Sequence, residues 1–297
     1  MYSVPMLHSA RIDRVQHAVD RLDGRAGVHL RSTGTGEEVS VGADDIFPAA
    51  CIIKVPIFLA LLQRVVDGDV DWNARLVVTE DRAYGLDQVV DRLRLGSTIE
   101  LSELVHLMVS LSDVGAGLWC QEIAGGGEAV NAWLADHGFA ATRVNSRTPG
   151  READFAAFGW GQTTPREALD LLLAIRERRA VTPEADAYAD RTLASTIFMQ
   201  DSIFALPTDV HVILKTGGVE ASRSEVLLIS TPDGPLGCSV MTDQLADTSW
   251  DLDSEAYEFM REITGFAWQE WGSGSRASLQ GPWPPPSVSS VVSSGGA

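Results

Sequence analysis

The chain has 297 residues, 45% hydrophobic and 22% charged, long enough to bury a large core, and no run of eighteen apolar residues, so neither a disordered chain nor a membrane-spanning helix is expected. Lysine and arginine total 23 against 41 aspartates and glutamates, a net charge of −18 that repels polyphosphate and anionic lipid. Nucleic acid and membrane are therefore excluded as expected partners. Cys51, Cys120 and Cys238 are widely spaced and the histidines are scattered, which fits no disulfide framework and no metal-ligand pattern. No metal and no cofactor is expected. The opening stretch MYSVPMLHSARIDRV lacks the apolar core of a secretory signal, and the expectation is a cytoplasmic protein with reduced thiols.

Arginine supplies all but two of the basic residues, the exceptions being Lys54 and Lys215. Lysine differs from arginine in losing its proton when buried or crowded by charge, so the neighbourhoods of these two residues are where chemistry is sought.

In chain order, Ile12, Val15, Val19 and Leu22 recur at helical spacing within residues 9–22, and GRAGVHLRSTGTGEEVSVG follows as two short β-like runs around a Thr/Gly turn. Residues 47–66 read as a buried helix stopped by Asp67-Gly68, with Pro56 inside it at the cost of a backbone hydrogen bond. Strand signals are few from Asp71 to Ala180. Leu101, Leu104, Val105, Met108 and Leu111 mark an amphipathic helix running into Ser112, and further helices are expected around Leu118–Ile123, Glu128–His137 and Pro165–Arg176. After Val210 the pattern changes to HVILKTG, SEVLLISTP and LGCSVMTD, three strands joined by turns, and then to an amphipathic stretch from Ser254 to Trp271.

This order predicts an α/β (α+β) fold, an antiparallel sheet flanked by helices with an inserted all-helical subdomain. The α/β part spans about 1–66 and 180–270 and the helical part about 67–179. The Ser/Gly/Pro-rich stretch 271–297 is expected to be a disordered tail.

Three short segments carry candidate chemistry. Cys51-Ile52-Ile53-Lys54 places a thiol and an ammonium one helical turn apart, where the amide dipoles favour an anion; a low thiol pKa is expected, although a buried cysteine at a helix start is commonly inert packing. Ser112-Asp113 precedes a helix and reads equally as an N-cap pair. Lys215-Thr216-Gly217-Gly218 ends a strand with two glycines that admit a ligand or another backbone. Cys120 and Cys238 read as packing, and so do Trp133, Trp160 and Trp268, with Trp160 also a candidate pocket wall.

Taken together, Cys51-x-x-Lys54, Ser112-Asp113-Val114 and Lys215-Thr216-Gly217 stand in the order of the S-x-x-K, S-D-N and K-T-G motifs, 61 and 164 residues separating Cys51 from Ser112 and Lys215. Over about residues 9–270 the chain resembles the class A β-lactamases and penicillin-binding proteins. Phe47-Pro48-Ala49-Ala50 and Thr163-Thr164-Pro165 match as well. Two positions depart from the pattern: Cys51 stands in place of the nucleophilic serine and Val114 in place of an asparagine that contacts substrate.

The resemblance implies that Cys51 attacks a carbonyl, that Lys54 manages its proton, and that Ser112 with Lys215 relays a proton to the leaving group. The amides of Cys51 and Gly218 become the oxyanion hole, with Gly217 in the same strand, and Thr216 and Arg223 become ligands for a substrate carboxylate. Glu152 is the candidate deacylating base, although NSRTPGREADFAAFGWGQ does not reproduce the family's loop motif.

A thioester reacts more readily with amines than an oxygen ester does, so the expected activity is hydrolysis or transacylation of an amide, ester or thioester. The substrate is then a small acyl donor, carboxylate-bearing or peptide-like, with an amine as candidate acceptor, in an intracellular natural-product type of metabolism. Two other readings stand beside this one. The first is a ligand-binding homologue without turnover, against which the retained lysines and Ser112 argue. The second is an ordinary β-lactam hydrolase with an engineered Ser-to-Cys change, against which Val114 argues.

Overall fold

A computed structural model describes residues 4–82, 84–86, 88–198 and 202–272. The chain begins with helix α1 (Val4–Arg21) and the hairpin β1 (Arg25–Ser32) and β2 (Glu38–Val41), followed by the short strand β3 (Phe47–Pro48), a single 3-10 turn (Ala50–Ile53) and α2 (Lys54–Val66). The next segment holds β4 (Arg75–Val77), β5 (Thr98–Glu100), α3 (Leu101–Val109), α4 (Val114–Ile123), α5 (Gly126–Asp136), β6 (Arg143–Val144), α6 (Glu152–Phe158) and β7 (Gly161–Thr163). After α7 (Pro165–Arg176) and α8 (Pro183–Leu193) the chain returns through β8 (Val212–Val219), β9 (Ser222–Ile229) and β10 (Leu236–Asp243) and closes with α9 (Glu255–Trp271).

Five strands form one sheet in the order β2-β1-β10-β9-β8, with every pairing antiparallel. Alternation along the strands gives the sheet two apolar faces. Leu214, Leu227, Ile229, Cys238 and Val240 pack with Val15, Ala18, Met260 and Ile263 of α1 and α9. Ile213, Val226, Leu228 and Met241 join the larger core, which holds Ile57, Phe58 and Leu61 of α2 together with residues of α3, α4, α5, α7 and α8. The last three strands and the first and last helices fall close to where periodicity places them. The tail expected from residue 271 lies outside the described residues except at its start, where α9 continues through Trp271.

The expected 47–66 helix is three elements. Phe47 and Pro48 pair with Thr163 and Gln162, and the α-helix proper begins at Lys54. Pro56 thereby falls in the first turn of α2, where its missing N–H removes no intrahelical bond, so the cost expected for an interior proline does not arise. The break places Cys51 in the 3-10 turn, at the junction of sheet and helical layer.

Candidate active site

Cys51, Ser112, Thr216, Gly217 and Gly218 line one cavity of about 270 Å³, together with Arg223, Phe198, Trp250 and Tyr257. Segments more than 100 residues apart converge there because α2 runs into the helical layer while β8 is the edge strand facing the turn before it. Glycine makes the approach feasible: a Cβ on Gly217 would lie 2.8 Å from the Ala49 carbonyl oxygen and 3.1 Å from the Cys51 amide nitrogen. The backbone is strained on both sides of the cavity, with Ala50 at φ 44° and Ser112 at φ 56°, positions that non-glycine residues rarely adopt.

Both lysines are buried, Lys54 at 0% and Lys215 at 1% exposure. Lys54 Nζ donates to Cys51 Sγ at 3.2 Å, to Ser112 Oγ at 3.2 Å and to the Ser112 carbonyl oxygen. Lys215 Nζ donates to the same Ser112 Oγ at 2.9 Å and to the Thr216 carbonyl at 2.8 Å. Ser112 Oγ is thus shared by two ammonium groups. Burial pushes the Cys51 thiol up, but the charges of Lys54 and Lys215 and the hydrogen bonds of Ser112 and Lys54 outweigh it and bring the thiol down to about 7. Cys120 and Cys238 are fully buried, and burial pushes both thiols up, in Cys120 against the lowering charge of Lys54 and in Cys238 with the charge of Glu225 adding to it.

Asp113 performs the capping role that its sequence context suggested. Its carboxylate accepts from the Ala116 amide at 2.7 Å and the Val90 amide at 3.2 Å, fixing the start of α4 while Ser112 turns toward the lysines.

Three expected site residues behave differently. Glu152 is exposed on the first turn of α6, accepts from the Gly150 amide at 3.2 Å, and borders a separate hollow with Asn145, Thr148 and Phe155, so it is not brought to the thiol. Val114 opens α4, is half-buried, donates its amide to Gln88 Oε1 and does not line the cavity.

Arg223 lines the cavity but does not present a fork to it. Its Nη1 donates to the carbonyls of Val219, Glu220 and Ser222, and its Nη2 to those of Thr248 and Ser249. The ring of Trp250 covers the guanidinium, with Cζ 3.4 Å from the ring centroid. Where a carboxylate ligand was expected, both Nη atoms of the arginine are thus engaged by carbonyls of two loops.

Trp160 lies against Lys54 and is not among the residues lining the cavity. Lys54 Nζ lies 5.3 Å from its ring centroid, and a Cβ on Gly117 would meet the indole at 2.6 Å and Lys54 Cε at 3.0 Å. The indole N–H donates to Gln121 Oε1 at 2.8 Å, and Gln121 is held in turn by the Ser146 carbonyl at 2.8 Å. No carboxylate is among the hydrogen-bond partners of Lys54 within the described residues.

Sequence reasoning passed over Phe198, Trp250 and Tyr257. Trp250 sits in the polar segment DTSWDLD, where a lone exposed tryptophan was the available signal. Among the described residues no group of three or more His, Cys, Asp or Glu side chains is placed to hold a metal, and no helix is long and apolar enough to cross a membrane.

The chain belongs to the beta-lactamase enzyme family, whose model matches residues 10–271. A beta-lactamase of Streptomyces fradiae is 29% identical over 264 residues, covering 83% of this chain and 81% of that protein. One from Rhodobacter capsulatus is 26% identical over 247 residues, covering 82% and 83%. Among solved structures, PBP-A superposes with a TM-score of 0.78 at 22% identity over 89% of this chain and 96% of that one, and the beta-lactamase of Sphaerobacter thermophilus with 0.76 at 23% over 89% and 97%. The protein is thus an enzyme of the β-lactamase-like superfamily, with the α+β fold that its three spaced motifs led one to expect.

Proposed function

We propose that the protein is a cysteine acyl-transfer enzyme that takes an acyl group from an amide, ester or thioester onto Cys51 and passes it to an amine in preference to water. The observation that carries this reading is the shared hydrogen-bond system in which Lys54 contacts both Cys51 Sγ and Ser112 Oγ while Lys215 contacts Ser112 Oγ, with the thiol lowered to about 7.

In the first half-reaction the Cys51 thiolate forms a bond to the acyl carbon, the bond to the leaving group breaks, and Ser112, recharged by Lys215 or Lys54, protonates that group. The amides of Cys51 and Gly218 are the candidate donors to the developing oxyanion. In the second half-reaction an amine adds to the thioester, gives its proton back to the Lys54–Ser112–Lys215 system, and expels the thiolate. Donor plus amine therefore yields amide plus protonated leaving group.

Preference for an amine is supported by the surroundings of Lys54. The Trp160 indole packs against it, with Nζ 5.3 Å from the ring centroid, and Glu152 is exposed on α6. Among the described residues no side-chain carboxylate is hydrogen-bonded to Lys54 to activate a water there, whereas an amine reacts with a thioester at its own basicity.

The test is turnover of one thioester donor with and without a primary amine. Product formation that rises with amine concentration, with amide recovered in excess over free acid, is the expected result. A rate and a product mixture independent of amine would overturn transfer and leave hydrolysis.

A further inference from the structure

The cavity wall beyond Gly218 is aromatic, made of Phe198, Trp250 and Tyr257, and it reaches the same space as Cys51. Trp250 is 60% exposed, yet it is fixed from beneath. The Arg223 guanidinium lies under the ring at 3.4 Å from its centroid, and the ring edge fills the space over Gly218, where a Cβ would come within 2.7 Å of it. Arg223 itself is 2% exposed and held by five carbonyl oxygens, so the platform has a rigid base.

An indole anchored on one face and exposed to solvent, beside an activated thiol, is a stacking surface. Aromatic rings prefer offset or edge-to-face partners, and the cation beneath polarises the indole toward a neutral ring above. The same arrangement weakens recognition of an anion, because the guanidinium is covered and its four Nη hydrogens face carbonyls. At about 270 Å³ the cavity falls at the small end of ligand clefts, which commonly run from about 300 Å³ upward, and so has room for one ring and its carbonyl.

We propose that the Trp250 wall is the acyl-donor subsite and that it selects donors carrying a planar, uncharged aromatic group next to the reacting carbonyl over donors carrying a carboxylate. This inference rests on the acyl-enzyme reading of Cys51. Trp250 is the specificity-determining residue, with Phe198, 37% exposed, and Tyr257 flanking the bound ring.

The experiment uses the full chain and three N-acetylcysteamine thioesters, phenylacetyl, acetyl and succinyl, with acylation of Cys51 followed by intact-protein mass spectrometry. Phenylacetyl transfer at least tenfold faster than acetyl or succinyl transfer is expected. Trp250→Ala should bring the phenylacetyl rate down to the acetyl rate, and Trp250→Phe should restore most of the preference. Equal rates for the three donors, a succinyl preference, or a Trp250→Ala variant that slows all donors alike would overturn the subsite while leaving the acyl-enzyme intact. Absence of Cys51 acylation by every donor would overturn the acyl-enzyme reading, and the subsite with it.

Discussion

Lys215 Nζ donates to Ser112 Oγ across 2.9 Å, tying the edge strand β8 to the strained turn that precedes α4. Because Lys54 reaches the same hydroxyl, Ser112 Oγ links the thiol side and the β8 side of the cavity by hydrogen bonds. Removing that hydroxyl separates the two lysines chemically while leaving each its backbone carbonyl partner. A Ser112→Ala variant is expected to lose a factor on the order of 10² to 10⁴ in acyl transfer, the usual worth of a positioned acid or base. The Cys51 thiol should also titrate higher, because a Ser112 hydrogen bond is one of the interactions lowering it. Steady-state rates together with thiol alkylation check both outcomes.

The place of Trp160 against Lys54 leads to a second expectation, on the fate of the acyl-enzyme. Trp160→Ala opens the space beside Lys54 that the indole now fills, and the thioester should hydrolyse at least tenfold faster in the absence of amine. Glu152→Gln should change neither hydrolysis nor transfer by more than twofold, since that carboxylate is exposed on α6. The lifetime of the Cys51 thioester by mass spectrometry distinguishes the two variants. A lifetime that responds to Glu152 and not to Trp160 would assign water activation to the α6 loop.

Gly217 sets how closely β8 approaches the turn holding Cys51. An added Cβ meets backbone atoms at 2.8 and 3.1 Å, which are not free to swing aside as a flexible side chain would. Gly217→Ala is expected to push the strand edge away from Cys51 and reduce transfer on the order of 10²-fold, as small misplacements of reacting groups do. Circular dichroism should remain that of the parent protein. Full activity in the variant would mean that the β8 edge does not position the donor.

Stability should carry a histidine signature away from the site. His29, 1% exposed in β1 and hydrogen-bonded to Ser40 Oγ at 2.8 Å, is lowered from 6.5 to about 4, first by burial and then by Arg166. The unfolded chain takes up this proton below about pH 6.5 and the folded chain only near 4, so stability is full above 6.5 and is lost as pH falls toward 4. Between pH 7 and 5 the loss from this one group is about 2 kcal/mol. Urea unfolding of the parent and of His29→Gln at the two pH values checks it: the drop should be smaller in the variant by about that amount. An equal drop would assign the acid sensitivity to other groups.

Much of the fold was legible because strands and helices with one buried face write that face into the sequence. The runs ending in Lys215-Thr216-Gly217, and at Ile229 and Asp243, are strands with residues packed into a core on each side, and their apolar continuity is unmistakable. Phe47-Pro48 was absorbed into a helix because two-residue pairing with Gln162 and Thr163 leaves no periodic trace. At the site, Cys51, Lys54, Ser112 and Lys215 were found through motif order, which spacing preserves.

The surroundings of Arg223 and Glu152 were not legible in the sequence for a physical reason. Whether an arginine clamps a ligand or braces a loop depends on which carbonyls surround it, and those at 219, 248 and 249 come together only in three dimensions. Trp250 was missed likewise, since nothing in its polar loop announces that Gly218 and Arg223 will lie beneath it.

The central claim is that Cys51 is a thiol activated by its lysine neighbour, and the pH dependence of its alkylation tests this most directly. Iodoacetamide labelling of Cys51, read by peptide mass spectrometry, should show a midpoint near 7 in the parent protein, below the unperturbed thiol value of about 8.5. The midpoint should rise in Lys54→Ala, where burial still acts and the nearest ammonium is gone. A parent midpoint at or above 8.5, or one that Lys54→Ala leaves in place, would contradict the account.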